Sequence, residues 1–174
     1  MRGRFNPVDG QLYLAGLRVW QSNGARFGAF HRVRYTNKNP VYMPTKLRVK
    51  SNGIAITFTD KVDAVTAVDN QNYSVDQWNY QWTGEYGSKM FSVNIPGKAI
   101  GDKKQAAFRG EPVEIVSIKL SNNKKTIFLE ITDLKPVMQS RITFNMKFAD
   151  GTELSKRVIV HTINHHSGHQ GSGR

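Results

Sequence analysis

EIVSIKLSNNKKTIFLEI, residues 114–131, reads as two short strands around one turn. Apolar residues alternate with polar ones on both sides of Ser121-Asn122-Asn123, the period-2 signature of strands that bury one face and wet the other. The same signature recurs along much of the chain. It marks Lys46–Lys50, Ile54–Thr59, Tyr73–Trp82, Glu114–Leu120, Thr126–Ile131, Ile142–Phe148 and Ser155–Ile163, with Ser51-Asn52-Gly53 and Ala149-Asp150-Gly151 as further turns. Short strands at regular spacing, separated by turn residues, predict an all-β, immunoglobulin-like β-sandwich over residues 44–165. Only Ala64–Asp69 and Leu134–Gln139 read as helical turns.

Upstream, Gln11–Leu17 follows the Asp9-Gly10 turn and Ala29–Tyr35 follows Ser22-Asn23-Gly24. Residues 1–36 therefore read as a β-hairpin, and Asn37-Lys38-Asn39-Pro40 with Pro44 brackets a linker at 37–43. From Thr83 to Pro112 the glycines and prolines predict a long loop, and residues 166–174 read as a mobile tail.

The 174 residues suffice for a sizeable core. With no cysteine in the chain, disulfides, thiolate metal sites and a cysteine nucleophile are excluded. No stretch approaches the roughly 18 apolar residues of a membrane span, so no membrane partner is expected, and MRGRFNPVDGQ holds no apolar run that could serve as a signal peptide, so the signal of an exported parent is expected upstream. The net charge is +12 and unevenly placed: residues 1–50 hold ten Lys and Arg against the single acid Asp9. Arg32-Val33-Arg34 and Lys46-Leu47-Arg48-Val49-Lys50 alternate charge with apolar residues, as a solvated sheet face does. No nucleic-acid-binding motif accompanies the charge, so nucleic acid is not expected as a partner; polyanion binding through the basic N-terminal half is an alternative reading.

QNYSVDQWNYQWTGEYGS, residues 71–88, holds five rings: Tyr73, Trp78, Tyr80, Trp82 and Tyr86. Along a strand Trp78, Tyr80 and Trp82 share a face, so some of them, Trp78 first, are expected in the core. Trp78, Trp82 and Tyr86 are the candidate ligand-binding residues, since aromatic rings stack on sugar faces; a carbohydrate-binding module is the first alternative function. Four histidines, His161, His165, His166 and His169, lie near the C-terminus, where adventitious metal binding is favoured over a native site, and His31 reads as a sheet histidine. Asp60, Asp63 and Asp69 read as turn caps. No nucleophile and base stand at interpretable spacing, so no catalytic residue, metal or cofactor is assigned and no enzyme is expected.

FNPVDGQLYLAGLRVWQSNGARFGAFHRVRYT (5–36), GIAITFTDKVDAVTAVDNQNYSVDQWNYQW (53–82) and EIVSIKLSNNKKTIFLEITDLKPVMQSRITF (114–144) resemble the closing propeller strands and the bacterial Ig-like domain of large secreted proteins of the sorbosone and soluble glucose dehydrogenase type. The resemblance implies that the chain is a C-terminal fragment of such a protein. It further implies a periplasmic or extracellular location, neighbouring domains of the parent chain as partners, and a non-catalytic accessory or interdomain role. On the same resemblance Asp9-Gly10 matches a propeller turn and Trp20 an interior position.

Overall fold

The computed structural model of the chain describes residues 2–17, 28–36, 38–84, 87–101 and 110–165. It divides into two compact units, Met1–Val41 and Tyr42–Arg174. Both are built from β-strands.

In the first unit β1 (Arg2–Phe5), β2 (Leu12–Leu17) and β3 (Gly28–Val33) form an antiparallel sheet in that order. The β1–β2 turn is tied by short side chains: Asn6 Oδ1 accepts from the Val8 amide and Asp9 Oδ1 from the Gln11 amide. Gly10 there has φ 66°, left-handed backbone that glycine adopts without a Cβ clash. The hairpin expected from the sequence thus gains a third strand. RGRF, rich in charge and lacking an apolar alternation, carries no strand signal of its own, yet it pairs in register from Arg2↔Ala15 to Phe5↔Leu12.

The registers sort the side chains of this sheet onto two faces, because residues directly opposite one another share a side. Phe5, Leu12 and Val33 make one row and Leu14 with His31 another, on one face. Arg4, Tyr13 and Arg32, then Arg2, Ala15 and Phe30, make the rows of the other. The rings agree with this assignment: Tyr13 and Phe30, diagonal neighbours, stack with centroids 5.7 Å apart.

The second unit is a sandwich. One sheet has the order β10-β11-β5-β4, from β10 (Ser117–Leu120), β11 (Thr126–Glu130), β5 (Gly53–Phe58) and β4 (Pro44–Lys50). The other runs β13-β12-β6-β9, from β13 (Glu153–Ile163), β12 (Val137–Lys147), β6 (Tyr73–Trp78) and β9 (Glu111–Val113). A two-stranded ribbon, β7 (Met90–Phe91) with β8 (Ala99–Gly101), completes it. With the three-residue β9 set aside, the first, second, fourth and fifth of the remaining seven strands of the two four-stranded sheets on one side, with the third, sixth and seventh on the other, make the immunoglobulin-like partition.

Alternation explains the core. Ile54, Ile56 and Phe58 of β5 and Ile127 and Leu129 of β11 face Val75, Ile142, Phe144, Met146, Leu154 and Ile163 of the opposite sheet, all buried in one cluster. Phe58 meets Phe144 edge-on at 5.8 Å, joining the two sheets. On β4, Leu47 and Val49 pack inward while Lys46, Arg48 and Lys50 are exposed, which is the wet-face reading of that charged run. Gly53 is obligatory: at φ 154°, a Cβ would lie 2.1 Å from the Leu129 carbonyl oxygen.

Several expected boundaries move. Tyr42 and Met43, assigned to the linker, are tied to the sandwich: Tyr42 packs on Phe148 at 4.4 Å and donates to Asp150, and the Met43 amide donates to Thr59 Oγ1. The strand expected from Glu114 to Leu120 begins only at Ser117, as β10, and Glu111–Val113 just before it form β9 in the other sheet. Residues 137–139, read as helical, open β12, since Val137 fills the core. The ribbon β7–β8 lies inside the expected loop 83–112. The strand expected over Tyr73–Trp82 stops at Trp78, where Asn79 bridges to Phe91 and its side-chain oxygen accepts the Met138 amide.

Candidate functional site

The rings of residues 71–82 are placed by the parity of β6. Tyr73 and Val75 point into the core and are buried. Tyr73 is the core aromatic of this strand: its hydroxyl donates to the Ala67 carbonyl at 2.8 Å, and burial pushes that hydroxyl's pKa well above the ordinary tyrosine value. Trp78 has the opposite parity, so it stands half-buried on the outer face of the sheet, against the expectation that it would fill the core.

A fixed ionic centre lies beside it. Asp76, buried on the same outer face, accepts from Arg141 Nε at 3.0 Å and Nη2 at 2.8 Å, a two-pronged pair between facing positions of β6 and β12. The Gly110 amide adds a third bond to Asp76 at 3.1 Å. The Arg141 guanidinium also covers the Trp78 ring, 5.6 Å from its centroid. Gly110 must pass close: a Cβ there would meet the Gln77 carbonyl oxygen at 2.6 Å and the Trp78 ring at 2.8 Å. Trp78 is therefore clamped between a cation and a backbone.

Beyond Asn79 the aromatic run emerges into solvent. Trp82 is 87% exposed and meets Tyr80 at 5.9 Å with the rings 73° apart. The Tyr80 amide leans on Met138 Sδ at 3.3 Å. Beside it an open groove of about 490 Å³ is lined by Asn79, Val137, Met138, Thr162, Ile163 and His165. Of the three candidate ligand-binding residues, Trp78 is half-covered, Trp82 offers a free indole face, and Tyr86 lies outside the described residues. Tyr80 and Trp82, nearly perpendicular, do not form a flat row.

The carboxylates hold turns. Asp63 accepts from the Thr66 amide and hydroxyl, which keep it below the ordinary carboxyl value, and the Lys61 amide does the same for Asp60. Asp69 Oδ1 caps the short 3-10 turn Asn70–Asn72 through the Gln71 amide. Glu111 grips the ribbon, accepting from the Ser92 hydroxyl and from the Val93 and Asn94 amides. Burial pulls its carboxyl upward; those three donors outweigh it and hold it low. Sequence reasoning missed this clamp, because Ser92 and Glu111 are far apart in the chain.

Of the histidines, His31 is exposed on β3 and His165 is exposed after β13, while His166 and His169 lie outside the described residues. His161 is half-buried on β13 opposite Ser140, both ring nitrogens buried without a hydrogen-bond partner, and burial lowers its pKa. Among the described residues no three metal-binding side chains come together, and no helix is long and apolar enough to cross a membrane.

No family model matches the chain, and no curated protein matches it. Solved structures do. The chain is similar to the structure of surface layer protein SbsC, domains 1–6, at 16% identity and a TM-score of 0.45, over 70% of this chain and 13% of that one. A crystal structure of the S-layer protein rSbsC gives 16% identity and a TM-score of 0.46, over 72% and 14%. The chain thus spans about a seventh of the length of the solved proteins that it matches, and likeness at this level carries no functional argument. It does correct the sequence reading: the matches are S-layer domains, and nothing points to a sorbosone or glucose dehydrogenase propeller.

Proposed function

We propose that this chain is a non-catalytic accessory module: a β-sandwich that carries a small sheet whose apolar face docks on a neighbouring β domain. The observation behind this reading is the composition of that face. Phe5, 72% exposed, and Val33, 46% exposed, flank Leu12 in one row, and Leu14 follows in the next. A three-stranded sheet gains stability by covering such a face, and apolar side chains left in water mark an interaction surface. The use of Asp60, Asp63, Asp69 and Glu111 as caps fits the same role, since each accepts from backbone amides.

Hydrogen exchange tests it. In the isolated 174-residue chain the amides of β1–β3 should exchange far faster than those of β5, β11 and β12. In the protein purified from its native source they should be protected to the level of the sandwich. Equal protection in both preparations would make the sheet self-sufficient, and fast exchange in both would remove the docking partner; either outcome rejects the reading.

A second reading, carbohydrate binding, is supported by the exposed indole of Trp82. Loss of glycan-array signal in Trp82→Ala, with the melting temperature unchanged, would support it; an unaltered array would reject it.

A further inference from the structure

The second face of the N-terminal sheet is chemically unlike the first. Arg2, Arg4 and Arg32 share it with Tyr13, Ala15 and Phe30. All three arginines are exposed, as is Phe30 at 72%. Along a strand, same-face neighbours stand about 6.8 Å apart, and strands separated by one other stand about 9.6 Å apart. Arg2 and Arg4 on β1 and Arg32 on β3 therefore bracket the stacked Tyr13–Phe30 pair on two sides. No carboxylate forms an ion pair with these three arginines among the described residues, although the sandwich has such pairs, Arg141–Asp76 and Lys119–Glu130 among them. The only acid of residues 1–50, Asp9, bonds to the same face through the Tyr13 hydroxyl at 2.8 Å.

We propose that this arginine face binds an anionic polysaccharide, with guanidinium groups on its carboxylates or sulfates, a sugar ring on Phe30, and Asp9 accepting from sugar hydroxyls. Arginine presents a planar fork of donors that matches such anions in two-pronged fashion. Asp9 decides between classes of polyanion. Its two bonds, from Gln11 and Tyr13, leave acceptor capacity on an ionised carboxylate. That charge repels both polyanions alike, but a glycan offers hydroxyl donors to it along its whole length, which a deoxyribose phosphodiester chain does not. Single-stranded nucleic acid, which also combines charge with ring stacking, is the competing class. This proposal concerns the face opposite the apolar one and stands whether or not that apolar face is docked.

The test uses the full chain, a heparin oligosaccharide and an oligo-dT of matched charge, titrated over a range of salt. Heparin binding should weaken as salt rises, and Arg2→Gln, Arg4→Gln and Arg32→Gln should each weaken it roughly threefold to fivefold, the scale of an exposed charge pair. The triple Arg→Lys variant, which keeps the charge and loses the two-pronged fork, should bind more weakly than the parent and more tightly than the triple Arg→Gln variant, with the melting temperature unchanged, which separates lost contacts from a damaged sheet. Phe30→Ala should lower affinity without changing the salt slope. Asp9→Asn, which relieves repulsion of both ligands and removes an acceptor for sugar hydroxyls, should shift the heparin-to-oligo-dT affinity ratio towards oligo-dT. Tighter binding of oligo-dT than of heparin by the intact chain would overturn the proposal in favour of nucleic acid. So would heparin binding that survives the triple Arg→Gln change and vanishes in Lys46→Gln/Arg48→Gln/Lys50→Gln.

Discussion

Arg141 grips Asp76 through two hydrogen bonds, 3.0 and 2.8 Å long, while its guanidinium covers Trp78. One side chain thus neutralises a buried carboxylate and anchors the ring where the aromatic run leaves the sheet. Removing either member of such a pair leaves the other charge stranded, which costs far more than the pair itself contributes. Arg141→Ala should destabilise the sandwich by about 3 kcal/mol in chemical denaturation. The double variant Arg141→Met/Asp76→Leu should recover most of that loss; failure to recover would mean that the pair is not the reason.

Gly53 supplies the second prediction. With φ 154° and the Leu129 carbonyl oxygen 2.1 Å from where a Cβ would sit, no rotation of a side chain relieves the clash, because the neighbour is backbone of a central strand. Gly53→Ala should lower stability by about 3 kcal/mol or more, combining backbone strain with overpacking. Gly97, also in the left-handed region at φ 81° but with open space around it, should lose only about 1 kcal/mol on the same change. Urea melts of the two variants separate crowding from conformation.

The aromatic residues give a rank order. Tyr73→Ala should be the most damaging, at about 3–5 kcal/mol for a buried ring. Trp78→Ala should be intermediate, and Trp82→Ala should stay within about 0.5 kcal/mol as a surface change. Tyr73→Phe, which leaves the Ala67 carbonyl unpartnered, should cost about 1–2 kcal/mol. A Trp82 variant as unstable as a Tyr73 variant would refute the register of β6.

These rankings show what the sequence makes legible. The strands of the sandwich are readable because Ile54 and Ile56, or Ile127 and Leu129, repeat at the period of a half-buried strand. The face taken by Trp78 is not, because the aromatic run invites one continuous strand through residue 82. Parity is set instead by Tyr73 and Val75, and the strand ends where Asn79 turns to bond the Met138 amide. The Glu111 clamp and the Asp76–Arg141 pair join residues 19 and 65 positions apart, contacts that no local pattern encodes. The two chemistries of the N-terminal sheet were hidden for a related reason: Arg2 and Arg4 lie on the same side as Arg32 only once the register is known.

Acid should act on the turns. Asp60, Asp63, Glu111, Glu130 and Asp150 all have carboxyls held below their ordinary values of 3.8 and 4.5. A depressed folded-state value means that the stabilisation is fully present above the unfolded value and is lost as pH falls through the folded one. Stability contributed by these groups should therefore hold down to about pH 4.5 and decline below it. Glu111→Gln should flatten part of that decline and loosen the ribbon, read as faster exchange at the Val93 and Asn94 amides.

His161 should add a separate step at higher pH. Its ring faces the same way as Ser140 on β12 and, one strand further, Gln77 on β6, neutral partners in one cross-strand row, and both its nitrogens lack a hydrogen bond. Burial lowers its pKa from 6.5. The unfolded chain therefore takes up the proton first, so the stabilisation of the neutral ring is complete above pH 6.5 and falls as pH drops from there towards the lower folded value. His161→Leu removes the titrating group along with two unpartnered polar atoms, and replacing such atoms with an apolar side chain is neutral or favourable. At pH 7 the variant should be as stable as the parent or better by about 1 kcal/mol, and between pH 6.5 and 5 its melting temperature should stay level while that of the parent falls. Parallel melting curves for the two proteins across that interval would mean that His161 gains a partner in solution and that the orphaned ring is not the source of the pH response.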